Sequence, residues 1–408
     1  MADTPAGAAV AASAASASFA SFASFPMAHP DQPILIAGAG PVGLCAALAL
    51  HHAGHAVRVI DAKAQDQLGI DPRAVALSHG SRLILDRLGV WDSITGPAAG
   101  TPIRHIHVSQ SGGFGQTRIE AADYGIDALG YVTRLGPMVK ALLGAVLRAG
   151  IEIRFETVRF ETAHLGTTST AGATSAADAD NTAPLTIIAE GRPHEIAERK
   201  EYGQTAIVTE AWSAAPHGHR AYERFTPEGP LALLPLGSAQ AGGHSVVWCM
   251  RDEHALALLQ KSDAEFIGAL NTATSFAQRT WTRIAPRAAF PLVLVRARDA
   301  ARTGEIALGN AAQTLHPVAG QGLNLGLRDA FELAEALKHG LADGALTAYR
   351  KQRARDRRAT VAITDQYVSL FSNDLALVRA ARGIGLALFN LLPGARRLVA
   401  RRMMFGLR

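Results

Sequence analysis

One unit near the start leaves few folds open: Ile34-Leu-Ile-Ala37, then Gly38-Ala-Gly40-Pro-Val-Gly43, an apolar run over 44–52, and Ala56-Val-Arg-Val-Ile60 ending on Asp61. The four apolar residues read as a buried strand, the run over 44–52 as a helix, and 56–60 as a second strand. Glycines at this spacing let the chain turn tightly, let a phosphate approach the N–H groups of a helix N-terminus, and let helix pack close on strand. An acid about 20 residues further on meets a ribose hydroxyl. The expectation is an α/β, Rossmann-like dinucleotide domain, with Gly38, Gly40 and Gly43 at a pyrophosphate and Asp61 on the ribose.

A second glycine-rich stretch, residues 309–329, carries Gly320, Gly322 and Gly326 and then turns apolar at helical spacing through Leu327, Phe331, Leu333 and Ala334. It reads as a loop running into a helix N-terminus, where free N–H groups and a partial positive charge favour an anionic neighbour. Taken alone, such a stretch is a common connector. Its company at Gly38 makes it a second cofactor segment.

The chain has 408 residues, 48% of them hydrophobic and 18% charged, which is enough for two globular domains. Cys45 and Cys249 form no metal or redox spacing and read as free thiols in a reducing cytoplasm. The first thirty residues contain no Lys or Arg, so they lack the charged start of a secretory signal and read as a disordered Ala/Ser/Phe leader. No run is apolar and long enough to span a bilayer. Thirteen Lys/Arg against three Asp from 345 onward give +10, which leaves the preceding residues at −5 of the overall +5. Apolar residues interleave with these arginines, as in amphipathic helices at a membrane surface or partner protein; a solvated helical face has the same pattern.

Between the two glycine stretches the pattern shifts. Ser81 reads as the N-cap and Gly89 as the C′ residue of a short helix. Strands are expected over 103–108, 131–134 and 151–155, with a helix over 138–149. Residues 167–183 read as a surface loop. Five short strands, 185–189, 204–209, 221–225, 231–234 and 245–248, suggest an antiparallel sheet. A helix over 255–270 follows, and 288–295 returns the chain to the strand 305–308. The resulting division is a leader over 1–30 and a nucleotide domain over 31–103, 125–190 and 285–345. A substrate domain then takes 104–124 and 191–284, and basic C-terminal helices take 346–408.

The two glycine stretches together resemble the single-component flavin aromatic hydroxylases. Three further segments resemble the ubiquinone-biosynthesis hydroxylases among them: Ala76-Leu-Ser78 with Leu88-Gly-Val-Trp91; Tyr202-Gly-Gln-Thr-Ala206 with Glu223-Arg-Phe-Thr-Pro227 and Ala232-Leu-Leu-Pro235; and Met403-Met-Phe-Gly406. The variant at 309–317 is most similar to the branch that hydroxylates 2-polyprenyl-6-methoxyphenol. The resemblance implies a non-covalent FAD held by Gly38, Gly40, Gly43 and Asp61 and lined by Arg73 and Arg134. Asn310 would bond the ribityl chain, at a position where sister enzymes carry Asp. Pro317, Gly320, Gln321, Gly322, Leu323 and Asn324 would lie against the isoalloxazine ring. It also implies O2 as co-substrate, a flavin C4a-hydroperoxide as oxygen donor, and a prenylated phenol as substrate. The partners implied are the inner face of the membrane and other ubiquinone-biosynthesis proteins, with no nucleic acid.

His316 reads as a structural histidine beside Pro317. The family's middle Asp-Gly motif is reduced here to Ala189-Glu-Gly191, so the electron donor is either NAD(P)H or a separate reductant. A flavoprotein dehydrogenase and a non-catalytic FAD-binding subunit share the same cofactor signals.

Overall fold

The computed structural model describes residues 32–94, 100–111, 116–157, 183–193, 196–275, 279–297, 304–314 and 320–371, with 394, 401–402 and 404–405 beyond them. The leader, most of the 167–183 loop and most of the chain after 371 lie outside the described residues, as do His316 and Pro317.

Five parallel strands form the nucleotide sheet in the order Glu305–Ala307, Thr186–Ile188, Ile34–Ala37, Val57–Ile60, Glu152–Arg154. The central strand Ile34–Ala37 is apolar and buried throughout, as a strand covered on both faces requires. Helices Pro41–His52, Leu135–Arg148 and Gln321–Leu337 pack on it around a core that includes Ile36, Leu44, Leu48, Met138, Leu142 and Leu327. The strand expected at 185–189 belongs here, parallel to Ile34–Ala37, and not to the antiparallel sheet. Its apolar run suits either sheet, and only the pairing of Thr186 with the distant Leu35 decides.

The second sheet has nine strands. Gln313–Thr314, Ala288–Ala297, Ile196–Ser213, Gly243–Arg251, Pro230–Leu236, Arg220–Phe225, His105–Gln110 and Gln116–Glu120 follow one another, with Trp281–Ile284 also on Ile196–Ser213. Neighbours are antiparallel except Arg220–Phe225 and His105–Gln110, which run parallel. Ala288–Ala297, expected to carry the chain back to the first sheet, stays beside Ile196–Ser213 along its length.

Two helices cover one face of this sheet, Asp252–Leu259 and Asp263–Ala273, where one helix over 255–270 was expected. The break follows from Ser262 and Glu265. The Ser262 side chain accepts from the Glu265 backbone N–H while the Glu265 carboxylate accepts from the Ser262 N–H, a capping box that starts a new helix. Ile207, Leu231, Leu233, Val246 and Trp248 pack beneath these helices with Phe266 and Leu270. The other face looks toward the nucleotide domain.

A three-stranded antiparallel sheet, Ala74–Ser78, Gly130–Arg134 and Thr101–Ile103, lies between the two layers. The short helix after it, His79–Arg87, is capped by Ser78, whose side chain accepts from the Ser81 N–H. Ser81 is thus the third helical residue rather than the cap, and Gly89, at φ 69°, does close the helix end.

Candidate cofactor and substrate site

The two glycine-rich stretches meet at Val42. A Cβ added to Gly326 would stand 2.7 Å from Val42 Cγ2, and one on Gly309 would stand 3.1 Å from it. Only glycine permits this crossing of helices Pro41–His52 and Gln321–Leu337, so the packing brings both helix N-termini to one side of the parallel sheet.

Within the first loop the glycines do different work. Gly38, at φ 111°, lies under Ala189, where a Cβ would meet the carbonyl oxygen at 2.6 Å; a Cβ on Gly43 would reach the Gly38 oxygen at 1.9 Å. Those two are needed by the fold itself. A Cβ on Gly40 meets nothing within 4 Å, so its side of the loop is open. Gly40 caps the helix without any side-chain hydrogen bond, and Gly320, at φ 58°, caps Gln321–Leu337 in the same way. Two helix ends thus present backbone N–H groups uncapped by side chains, and Gly322 leaves open space at the second.

Asp61 ends the second strand as expected. Its carboxylate accepts from Ala39 N at 2.6 Å and from Lys63 N at 2.8 Å, which fixes its orientation and leaves lone pairs for a ribose hydroxyl. Asn310 sits exposed in the single turn Gly309–Ala311. Gln321 and Leu323 are partly buried, and Leu323 packs against the nucleotide core.

Asn324 is placed differently from the neighbours with which the sequence grouped it. It is buried, its Oδ1 accepts from Ser78 N at 2.8 Å and Ser81 Oγ at 2.7 Å, and its Nδ2 donates to Ala76 O and Gly320 O. With all these bonds satisfied by protein, Asn324 ties the helix N-terminus to the strand Ala74–Ser78. Ser78 and Ser81, the other half of that clamp, carry no site signal in the sequence beyond helix capping.

Both predicted arginines are held by carboxylates. Arg73 pairs with Asp71 at 2.6 Å and lies over the Phe290 ring at 5.3 Å. Arg134 bonds Glu210 through both guanidinium nitrogens, one of them at 3.0 Å, and donates to Pro72 O at 2.9 Å. The Glu210 bond pushes the Arg134 pKa further up, so it stays charged. Beside the pair is a cavity of about 250 Å³ lined by Thr101, Val132, Arg134, Glu210, Trp212 and Leu236. Strand alternation puts Glu210 and Trp212 on the face that looks at the nucleotide domain. That period-2 signal runs on past 209, where the strand was expected to end.

The reduced middle motif has a structural use. Ala189 closes over Gly38 and Gly43, and its N–H donates to Ala37 O at 2.8 Å. A small residue is what that contact needs.

A parallel sheet with two uncapped glycine helix ends, facing an antiparallel sheet across a cavity, has the layout of a dinucleotide-binding protein with a second domain over its site. Comparison with known proteins gives the family. Residues 31–364 match the family described as FAD binding domain. The chain is 32% identical to ubiquinone hydroxylase UbiL of Rhodospirillum rubrum, over 91% of this chain and 89% of that protein. It is 27% identical to the mitochondrial ubiquinone biosynthesis monooxygenase COQ6 of Mus musculus, over 88% and 87%. Among solved structures, p-nitrophenol 4-monooxygenase PnpA of Pseudomonas putida superposes with a TM-score of 0.67 at 19% identity, over 92% of this chain and 99% of that one. The chain belongs to the FAD-binding-domain family of FAD-dependent aromatic monooxygenases.

Proposed function

We propose that this protein hydroxylates a prenylated phenol of the 2-polyprenyl-6-methoxyphenol type in ubiquinone biosynthesis. The observation that carries the reading is the sheet face opposite the two covering helices. Apart from Glu210 and Glu223 it is mostly apolar, it is partly open, and it adjoins the strand Ala74–Ser78 on which the second glycine stretch rests. UbiL and COQ6, whose names place them in ubiquinone hydroxylation and biosynthesis, match across most of this chain, which supports the same pathway here.

Bound FAD, once reduced, supplies the activation of dioxygen. The chain supplies the rest. Gly40 and the first helix end hold the pyrophosphate, and Asp61 takes the ribose. The N-terminus of Gln321–Leu337 stabilises negative charge near the ring. The sheet face excludes water and orients the phenol. Reducing equivalents come from NAD(P)H or a separate donor. The prenyl tail makes a membrane surface the place of work, alongside other enzymes of the pathway.

The test uses FAD-loaded protein, reduced without oxygen and mixed with isotopically labelled dioxygen and a short-chain prenylated methoxyphenol. One labelled oxygen in the ring of the product supports the reading. Reoxidation with no labelled product, for that phenol and for its analogues, overturns it.

A further inference from the structure

On the sheet face toward the nucleotide domain, Val108, Glu223, Ala232, Val247 and Val208 form one continuous row across five strands by register: Val108 with Glu223, Glu223 with Ala232, Ala232 with Val247, Val247 with Val208. All five are partly open, whereas Tyr222, Leu231, Leu233, Val246 and Ile207, which alternate with them, are buried under the covering helices. At about 4.8 Å per strand the row is roughly 19 Å long. It is a trough, and its one polar side chain is a carboxylate.

The next register of the same face contains Ala221 and Leu234, which pack against Ala74 and Ala76. A Cβ on Gly320 would touch Ala76 at 3.7 Å. Glu223 lies two residues, roughly 7 Å, along its strand from Ala221. The trough thus adjoins the layer on which the second helix N-terminus rests.

Glu223 has no hydrogen bond or salt bridge among the described residues. Arg224, its neighbour, bonds Ser109, on the opposite face. The register neighbours Val108 and Ala232 bring no charge, and among the described residues the ionisable group in electrostatic contact with it is the Cys249 thiol, kept neutral by burial. An unpaired acid in an apolar floor is costly to the fold, and a ligand that supplies a polar hydrogen removes that cost.

We propose, resting on the reading of the protein as a phenol hydroxylase, that Glu223 contacts the substrate's phenolic hydroxyl and accepts its proton. The O–H proton passes to a Glu223 carboxylate oxygen, the pair of electrons stays on the phenol oxygen, and the resulting phenolate ring is the more electron-rich acceptor of an oxygen atom. The proton returns when the hydroxylated product reprotonates. Burial pushes the Glu223 carboxyl up to about 7, closer to a phenol than an ordinary carboxyl is, which suits a proton shared between them. The prenyl chain lies along the valines.

The experiment titrates FAD-loaded protein with a prenylated nitrophenol and reads the phenolate absorption band against pH. In the wild type the bound phenol should ionise at a higher pH than it does free, because the carboxylate that shares its proton opposes a second negative charge beside it. Glu223→Gln should bind it at least about tenfold more weakly and leave its ionisation at the free value, while Glu223→Asp restores part of the shift. Unchanged flavin spectra in each variant exclude a loss of fold. Equal affinity and ionisation in the wild type and Glu223→Gln, with labelled oxygen still incorporated by both, overturns the role of Glu223 alone. Failure of the wild type to bind or hydroxylate any prenylated phenol overturns the functional reading and this assignment with it.

Discussion

Arg353 Nε donates to Asp329 Oδ1 at 2.6 Å, between side chains that are 2% and 1% exposed, and so joins the helix Asp343–Phe371 to the helix that begins at the second glycine stretch. Arg353 also bonds Glu332 at 2.9 Å and Asp356 at 2.7 Å, Arg357 reaches Asp329, and Arg328 reaches Asp356. Three arginines face three acids. The Tyr349 hydroxyl donates to Asp329 O and seals the group. Part of the basic tail is therefore interior, not a surface for lipid.

Removing Arg353 leaves Asp329, Glu332 and Asp356 short of a cation inside the protein. Arg353→Met should lose about 3–5 kcal/mol of stability, against under about 1 kcal/mol for Arg199→Met, whose pairing with Glu201 is exposed. Chemical denaturation of both variants makes the comparison. Truncation after residue 345 removes Tyr349, Arg353 and Asp356 together and should give aggregated protein. Membrane association is better tested by substituting cations beyond 371 in the full chain.

Gly40 and Gly43 separate cofactor binding from folding. A methyl group at position 43 would collide with the Gly38 carbonyl, so Gly43→Ala should lower the melting temperature and FAD content together. A methyl group at position 40 meets only open space, on a backbone at φ −75° that any residue adopts. Gly40→Ala should therefore leave the apoprotein's stability within about 0.5 kcal/mol while weakening FAD by tenfold or more. Flavin fluorescence titration and apoprotein melting read the two effects independently.

These contrasts also mark what sequence could reveal. The Gly38 loop and Asp61 were legible because their geometry is local: strand, turn, helix and acid follow one another within 28 residues. The membership of Thr186–Ile188 in the parallel sheet was not, since an apolar triplet carries no record of its partners. Ser262 with Glu265 was a readable helix start that the continuous apolar spacing over 255–270 concealed. Arg353 was illegible for another reason: a run of cations looks the same whether its members face water or acids on the previous helix. Asn324 shows the limit within a motif, where one residue serves the clamp and its neighbours the space in front of it.

His244 contributes to the acid limb of stability. It has no exposed surface, its Nε2 has no close hydrogen-bond partner among the described residues, and its ring stands edge-on to Trp281 at 5.3 Å. Burial first, then Arg279 and His217, push its pKa down to about 3. The unfolded chain takes up a proton near 6.5 that the folded one refuses, so stability present above pH 6.5 is lost as pH falls toward 3. The loss amounts to roughly 3 kcal/mol by pH 4. His244→Phe keeps the ring and removes the titration, and its unfolding free energy should fall less steeply between about pH 6.5 and 4.

Glu223 works in the opposite sense, and this distinguishes it from a carboxylate held by a cation. Its folded value of about 7 lies above the unfolded 4.5, so the folded protein holds the proton more tightly. The stability this contributes is full below pH 4.5 and disappears as pH rises through 7. Above that pH the folded state keeps a charge that its apolar surroundings disfavour and that has no partner among the described residues; because Glu223 is partly open, the cost is on the order of 1–2 kcal/mol. Glu223→Gln carries no such charge, so it should melt higher than the wild type at about pH 8 and approach it at about pH 4.5, in substrate-free protein. A bound prenylated phenol should shrink the difference at the higher pH, because its hydroxyl gives Glu223 the hydrogen-bond partner that the fold withholds. Melting curves at the two pH values, with and without the phenol, measure both effects. A wild type that melts with or above Glu223→Gln at the higher pH would show that the carboxylate is already paired in the resting protein.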